Sequence, residues 1–540
     1  MKNCFCICTF FLISFISAQQ YTEQDTLRGS ITEERKWWNL EHYNLNVVIH
    51  PEKKFISGYN TIRYQVLSEK NDRLQIDLQA PMKITGAMYH GKNVLIASNG
   101  NAHYIQVSRQ PVRTKDSVTV FFEGTPPSSK NPPWDAGFTW KTDEKERHFI
   151  ATSCQGKGAS VWWPNKDHMY DEPEHGIYEK YTVPENLIAV GNGRLVKTVH
   201  DTVSKTKTFH WKVSQPINNY GVNLNIANYV RFSEKFEGEK KELDCDYFVL
   251  PNFLEKARKQ FQQVPKTLKA LEFWFGPYPF YEDSYKLVHV PYLGMEHQSS
   301  VTYGNQFQNG YLGHDLSKTG WGMKFDYIIV HETAHEWFAN SITNKDIADM
   351  WIHESFATYA ESLYLEYHFG KQAAAAYLQG LRHAIQNDRP IIGNYNVNSE
   401  GSTDMYFKGA NMLHTIRQLV NDDEKWRNIL RALHRNFYHQ TVSSKQIETF
   451  LTDHVQQDLN AVFEQYLRTP KIPFFETHFI NDHLEYRWQN VVDHFSMPLK
   501  IYLDGKETWI SPTTQWKKMR LTSLTKIEID PNFYVVSKTQ

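Results

Sequence analysis

The hydrophobic pattern of this 540-residue chain changes its period twice. From about Trp38 to Val230, short runs of β-branched and aromatic residues alternate with polar positions and are separated by Gly, Pro, Asn and Asp, which predicts antiparallel strands. Beyond Pro251, apolar residues recur at helical spacing as far as Leu467, and after Pro473 short strand-like runs return. We therefore predict a multidomain α+β protein with an N-terminal antiparallel β domain, a mainly helical domain and a small C-terminal β module.

The same pattern gives approximate boundaries for these parts. The predicted division is a leader at residues 1–18, the β domain at 19–240, the helical domain at 241–472 and a C-terminal β-sandwich module at 473–540. A chain of this length commonly holds three or four domains of about 150 residues each, which agrees with that division.

The first 18 residues indicate the compartment. Lys2 precedes an apolar run of about 14 residues, shorter than the roughly 20 that cross a bilayer, and the small pair Ser17-Ala18 follows. This pattern predicts a secretory signal peptide, and an uncleaved membrane anchor is the alternative. We expect an exported protein, periplasmic or extracellular, with no stable membrane span after the signal is removed.

Composition excludes some classes of partner. Lys and Arg total 59 and Asp and Glu total 60, and this balance argues against nucleic-acid binding, which needs a concentrated basic surface. Three of the five cysteines lie in the leader. Cys154 and Cys245 remain, and we expect two buried free thiols, with a single disulfide as the alternative. Neither belongs to a Cys-based zinc cluster.

The most informative motif is His331-Glu332-Thr333-Ala334-His335. It lies in an apolar stretch that predicts a helix over Asp326–Ser341. Positions i and i+4 of a helix are only about 40° apart, so both imidazoles are expected to project from one face. Two neutral imidazoles are suitable ligands for a metal and unsuitable for an apolar core. We therefore predict one Zn²⁺ per chain.

A catalytic zinc usually takes three protein ligands and leaves one position for water. Glu354, at the start of the next predicted helix, is expected to be the third ligand, with His353 beside it as the alternative. Glu332 points about 100° away from His331 and suits the general base that activates the zinc-bound water. Glu361 lies on the same helix face as Glu354 and either hydrogen-bonds a ligating imidazole or is solvated.

Several ordered motifs resemble those of the M1 family of gluzincin aminopeptidases. The first histidine motif together with Trp351-Ile352-His353-Glu354 resembles the family's H-E-x-x-H-x18-E signature. Gly294-Met295-Glu296-His297 resembles its exopeptidase motif G-x-M-E-N, and Tyr406-Phe407-Lys408-Gly409 resembles its Y-x-K-G segment. The resemblance implies a thermolysin-like catalytic domain in a short form that lacks the large C-terminal helical domain of many relatives, with a more open cleft.

The resemblance also implies roles for residues outside the metal motif. Glu296 is expected to bind the α-ammonium group of the substrate through a charge-assisted hydrogen bond, and Gln155 matches a second amine-binding position on the β domain. Tyr406 is expected to donate to the tetrahedral oxyanion. The pocket for the first substrate residue is expected to include Met295 and Gly294.

Three positions depart from the family pattern. His297 replaces the usual Asn, so substrate orientation or pH response is expected to differ. Ala339 and Ser355 stand where Gly is common.

The leading interpretation is an exported zinc-dependent aminopeptidase that removes N-terminal residues from peptides with a free N-terminus. The alternatives are a thermolysin-like zinc endopeptidase and a catalytically silent peptide-binding scaffold on the same fold. Glu296 favours the first, because an endopeptidase has no use for a carboxylate that captures an amine.

Overall fold

A computed structural model of the chain describes residues 21–521 and 525–539. The predicted leader, residues 1–18, lies outside the described residues.

Two short helices, α1 (Glu23–Gly29) and α2 (Glu33–Lys36), precede the first strand. The strands that follow are β1 (Trp38–His50), β2 (Phe55–Val66), β3 (Arg73–Asp77), β4 (Lys83–Tyr89), β5 (Lys92–Asn93), β6 (Ile96–Asn99), β7 (Ala102–Gln106), β8 (Lys115–Gly124), β9 (Gly137–Thr142), β10 (His148–Ser153), β11 (Ile177–Pro184), β12 (Ile188–Val190), β13 (Arg194–Asp201), β14 (Thr206–Val213) and β15 (Asn225–Ala227).

These strands form three sheets, in the orders β13-β14-β11-β1-β2-β8-β4-β5, β12-β15-β10-β9 and β3-β7-β6. Their pairs are antiparallel except for β1 with β11, where Tyr43 lies opposite Ile177. Along β1, buried Leu45, Val47 and Ile49 alternate with more exposed side chains, as a sheet with one face on a core requires.

The next sheet combines strands from both sides of residue 240, where the sequence analysis places a domain boundary. That boundary stays a prediction. Its strands are β16 (Val230–Glu237), β17 (Glu242–Val249), β18 (Tyr285–His289), β19 (Gly294–Met295) and β20 (Val301–Tyr303), in the order β16-β17-β18-β20-β19. β19 is therefore an edge strand.

Helices dominate the region that follows this sheet. They are α3 (Leu254–Gln260), α4 (Gln263–Phe275), α5 (Tyr327–Ala334), α6 (Trp351–Phe369), α7 (Lys371–Leu381), α8 (Phe407–Val420), α9 (Asp423–Asn436), α10 (Ser444–Val455) and α11 (Asn460–Arg468). Two short strands, β21 (Ile342–Asn344) and β22 (Gln440–Val442), pair in parallel between them.

The C-terminal strands form two further sheets. They are β23 (Phe474–Ile480), β24 (His483–Gln489), β25 (Leu499–Leu503), β26 (Lys506–Ile510), β27 (Lys517–Arg520), β28 (Ile527–Ile529) and β29 (Val536–Thr539), in the orders β27-β24-β23-β29 and β26-β25-β28. The predicted fold class is thus confirmed. Across residues 21–521 and 525–539, we find no helix with the length and apolar character needed to cross a bilayer.

The helix predicted over Asp326–Ser341 is shorter than expected. α5 ends at Ala334, and the amide of Asn340 then donates to the carbonyl of His335 instead of continuing the α-helical ladder. Ala339 has a φ of 145°, in the region that favours glycine. The chain therefore turns sharply directly after the second histidine of the motif.

Asp326 fixes the start of α5. Its carboxylate accepts from the amides of Ile328 and Ile329 as the N-cap, and also from the Tyr303 hydroxyl and the Asn305 amide at 2.7 and 2.9 Å. Burial raises the pKa of this carboxyl to about 6, although the hydrogen bonds oppose the rise. One buried side chain thus joins α5 to β20 and to the loop that follows it.

We predict that Asp326→Ala lowers the free energy of unfolding by about 3 kcal/mol or more, because several buried donors lose their acceptor together. Asp422 is the matched control, since it caps α9 from an exposed position and accepts only from the Lys425 amide at 3.0 Å. Asp422→Ala should cost about 1 kcal/mol. Urea titrations followed by tryptophan fluorescence measure both changes, and equal losses would contradict the proposed importance of Asp326.

Candidate active site

Three polar atoms from two consecutive helices converge at one point. His331 lies in α5, His335 follows its last residue, and Glu354 lies in the first turn of α6. The Nε2 atoms of the two histidines are 3.3 Å apart, and Glu354 Oε2 lies 3.5 Å from the first and 3.4 Å from the second. All three residues are buried.

The Nδ1 atom of each imidazole forms a hydrogen bond with an oxygen. His331 Nδ1 donates to Glu361 Oε1 at 2.7 Å, and His335 Nδ1 donates to the Phe338 carbonyl at 2.9 Å. Both Nε2 atoms therefore carry lone pairs, which face each other and a carboxylate oxygen. Glu354 Oε2 is buried, and none of the residues that the structure describes donates a hydrogen bond to it. Such an arrangement is satisfied by a cation.

The spacing of these atoms suits zinc. In a tetrahedral site with bonds of about 2.0–2.1 Å, two ligand atoms lie about 3.3–3.4 Å apart. The three observed separations of 3.3, 3.4 and 3.5 Å agree with that value. Glu361 also accepts from the Tyr377 hydroxyl, so the group behind His331 is itself held in place, as is common around metal-ligating histidines.

Negative charge surrounds the two imidazoles. Burial by itself would lower the pKa of His331, but the adjacent carboxylates of Glu354 and Glu361 raise it well above its ordinary value. Burial raises the pKa of Glu332 to about 7, and the neighbouring histidines oppose that rise. These shifts show that the carboxylates attract positive charge to this point.

Two further carboxylates complete the group. The ligand atoms of Glu296, Glu332 and His335 lie within 4.8 Å of one another, and all three side chains are buried. Glu296 directly follows the edge strand β19, and its backbone carbonyl accepts from the Asn340 side-chain amide at 2.9 Å. The turn after the second histidine thus holds the segment that carries Glu296.

Gln155 reaches the same point from the N-terminal part of the chain. It lies in the loop after β10, and its Nε2 donates to Glu296 Oε1 at 2.8 Å and to Glu354 Oε1 at 3.1 Å. A single amide therefore links the candidate amine-binding carboxylate to the candidate metal ligand.

The Tyr406 ring stacks on the His331 imidazole, with the ring centroids 6.1 Å apart. Burial, followed by the charge of Glu354, raises the pKa of Tyr406 well above 10, so the hydroxyl keeps its proton and can donate it in a hydrogen bond. The hydroxyl of Ser355 donates to the Met405 carbonyl at 2.6 Å. This serine, at a position where the resemblance leads one to expect Gly, thus fixes the residue before Tyr406.

These side chains open into a cleft of about 400 Å³, within the range of ligand-binding sites. Gly294 and Met295 form part of its wall. At Gly294 a Cβ atom would lie 2.6 Å from Ile328 Cγ2, so glycine is required for β19 to approach α5 this closely.

The structure brings together every residue that the sequence analysis placed at the site. They are Gln155, Gly294, Met295, Glu296, His331, Glu332, His335, Glu354 and Tyr406, which line the cleft, and Glu361, which lies behind His331. His353 does not join them, because its Nε2 accepts from the amide of Asn344 at 2.9 Å. His297 is buried, and burial lowers its pKa to about 3, so it stays neutral near pH 7.

Sequence reasoning missed several residues of the wall. These are Trp134, Tyr311, Leu316, Tyr327 and Phe407. Of these, Tyr327 had a local signal, since it precedes His331 by one helical turn and its ring stacks on the imidazole at 5.0 Å. Phe407 begins α8 and follows Tyr406 in the quoted motif, whereas Trp134, Tyr311 and Leu316 come from separate loops and carry no motif.

The fold and the site together define a metallopeptidase-like catalytic domain. Residues 260–466 match the family model described as the peptidase family M1 domain. Over these residues the chain carries a peptidase family M1 domain.

Three comparisons illustrate its relatives. Endoplasmic reticulum aminopeptidase 1 of Mus musculus is 21% identical over 471 residues, which cover 81% of this chain and 49% of that protein. Leukotriene A-4 hydrolase of Xenopus laevis is 21% identical over 466 residues, covering 81% and 72%. A mutant M1 zinc metallopeptidase of Deinococcus radiodurans, solved with a Tyr-Ser-Ala substrate, superimposes with a TM-score of 0.66 at 21% identity and covers 80% of this chain and 95% of that one. The chain thus spans about half the length of the first of these relatives.

We predict that the purified protein holds about one zinc ion per chain and that Glu354→Ala retains less than about a tenth of it, because two imidazoles alone make a weak site. Glu361→Gln should weaken zinc affinity by about 10–100-fold. Elemental analysis and titration with a chelator measure both, and Glu424→Ala, at an exposed position on α9, is the control. Full zinc content in Glu354→Ala would show that this carboxylate is not a ligand.

Proposed function

We propose that this protein is a zinc-dependent aminopeptidase that hydrolyses N-terminal residues from peptides. The observation that carries the proposal is the buried carboxylate of Glu296, held by Gln155 and grouped with Glu332 and His335. A buried carboxylate at a fixed distance from the metal site recognises an α-ammonium group and so positions the first peptide bond for attack.

The residues divide the chemistry among them. Zinc held by His331, His335 and Glu354 would polarise the scissile carbonyl and lower the pKa of water toward about 7. Glu332 accepts a proton from the attacking water and returns it to the leaving amine.

Tyr406 and Glu296 act on two different groups of the substrate, the oxygen of the scissile carbonyl and the amino terminus. The protonated Tyr406 hydroxyl donates to the oxygen on which negative charge develops, and it stands beside His331. Glu296 and Gln155 hold the amino terminus of the substrate. The charged transition state then forms between these two residues and Tyr406.

The relatives support this proposal. Several are named aminopeptidases, including a leucyl aminopeptidase of Saccharolobus solfataricus that is 22% identical over 76% of this chain. The structural neighbour from Deinococcus radiodurans is described with a tripeptide substrate. A thermolysin-like endopeptidase remains the second candidate, since it needs the same three ligands and the same base.

We also propose that the protein is exported to the periplasm or the extracellular space. The charged start, short apolar run and small residues at positions 1–18 support this. Cys154 and Cys245 are buried free thiols, so nothing in the described part of the chain requires an oxidising compartment.

We predict that the protein cleaves amino-acid arylamides and that N-acetylation of the substrate reduces kcat/KM at least about 100-fold, because the buried carboxylate loses its charged partner. Glu296→Ala should reduce kcat/KM for the free amine by a similar factor and remove most of this discrimination. A fluorogenic assay with both substrates measures the ratio. Equal cleavage of the acetylated and free substrates by the unaltered protein would favour the endopeptidase.

We predict that Tyr406→Phe lowers kcat by about 10²–10³-fold while zinc content and melting temperature stay unchanged, because one oxyanion donor is removed. Tyr367→Phe is the matched control, since that ring packs on Phe273 and does not line the cleft. A kcat that Tyr406→Phe leaves unaltered would exclude Tyr406 from the reaction.

A further inference from the structure

The residues that precede β1 form an arm, residues 21–36, that reaches the candidate active site. Arg28 in α1 donates from Nη2 to the carbonyl of Gly156 at 3.0 Å. Gly156 directly follows Gln155, whose amide binds Glu296 and Glu354. The arm is thus one residue away from a group that lines the cleft.

The guanidinium of Arg28 is itself anchored. Its Nε lies 3.4 Å from Asp167 Oδ2, and Asp167 is 7% exposed. The Asp167 amide donates to Asp77 Oδ2 at 3.2 Å, and Asp77 also pairs with the buried Arg35 of the arm at 2.6 Å. Two charge pairs, at Arg28 and Arg35, and the backbone hydrogen bond between Asp167 and Asp77 therefore connect the arm to the β domain.

A second set of contacts holds the arm to the catalytic domain. The Tyr21 hydroxyl donates to Ser399 Oγ at 3.0 Å. At Gly29 a Cβ atom would lie 2.2 Å from the backbone carbon of Val397, so the arm packs directly on this segment. Arg28 is therefore held from both sides and has little freedom to follow the loop if the loop moves.

Besides Arg28, the loop that carries Gln155 is held by Gln79, whose Nε2 donates to the Lys157 carbonyl at 2.7 Å. Gly156 and Gly158 have φ values of 75° and 81°, and the internal bonds join Lys157 to Gln155 and Gly158 to Cys154. A Cβ atom at Gly158 would lie 2.4 Å from Arg28 Nη2 and from Asp167 Oδ2, so the guanidinium lies tightly over this glycine. Glycine-rich loops of this kind sample many conformers unless a contact selects one.

We infer that Arg28 is a positioning residue that holds the Cys154–Gly158 loop so that the Gln155 amide faces Glu296, and that it thereby sets affinity for the α-ammonium group of the substrate. This inference rests on the proposed function, because it assigns Gln155 to amine binding. Arg28 does not touch the substrate and acts through the Gly156 carbonyl.

The first test is kinetic. Arg28→Met, which keeps an unbranched apolar stem but removes the guanidinium, should raise KM for an amino-acid arylamide about tenfold, the change that loss of one hydrogen bond to a charged group produces, with kcat within about twofold. Gln155→Ala should raise KM similarly. The double variant should match Gln155→Ala, since residues acting through one another are not additive. Arg63→Met, at an exposed position on β2, is the control.

The second test is independent of activity. Hydrogen–deuterium exchange of the amides at 155–158 should accelerate at least about tenfold in Arg28→Met and stay unchanged in Arg63→Met. Arg28→Lys keeps a cation but not the fork that binds two acceptors, so it should give an intermediate rate and serves if Arg28→Met does not fold.

The outcomes separate the two proposals. Unchanged exchange at 155–158, or effects of Arg28→Met and Gln155→Ala on KM that multiply, would overturn the positioning role. Equal cleavage of free and N-acetylated substrates by the unaltered protein would instead remove the proposed function, and accelerated exchange would still show that Arg28 holds the loop.

Discussion

The site is organised around one electrostatic constraint. The Nδ1 atoms of His331 and His335 are hydrogen-bonded to oxygens, so their Nε2 atoms face Glu354 Oε2 at distances within 3.5 Å. Buried acceptors in that arrangement repel one another unless a cation joins them. The turn after α5 and the approach of α6 bring these acceptors together.

The surrounding fold serves to place other segments against this centre. Asp326 fixes the start of α5, and the missing side chain of Gly294 lets the edge strand β19 approach that helix. Glu296 then lies directly beyond β19, within reach of the second histidine. The position of the proposed amine-binding carboxylate is thus a consequence of how closely a strand and a helix pack.

How much of the fold and the site the sequence predicts depends on how far apart along the chain the interacting residues lie. The pairing of His331 with His335 and the addition of Glu354 follow from helical geometry and metal chemistry, and both were predictable. The end of α5 at Ala334 was not, because it depends on a bond between Asn340 and the His335 carbonyl that propensity does not encode.

Long-range contacts were visible only through resemblance or not at all. Gln155 could be proposed only because its segment resembles a family motif, since 141 residues separate it from Glu296. Tyr377, which donates to Glu361, and Arg28, which donates to the Gly156 carbonyl, carry no motif. Such contacts are fixed by tertiary packing, which single-sequence patterns do not contain.

The charges in the cleft explain why its parts belong together. Glu296, Glu332 and Glu354 line it, Glu361 lies behind His331, and no Lys or Arg is among the described lining residues. Four carboxylates carry four negative charges, a divalent ion supplies two positive charges, and a substrate ammonium supplies one. One negative charge remains, and transfer of a proton from water to Glu332 moves charge within the site without changing this total. The bound ion and the substrate ammonium would both favour the ionised form of Glu332, so this base is free to accept the proton from water once the substrate amine has bound.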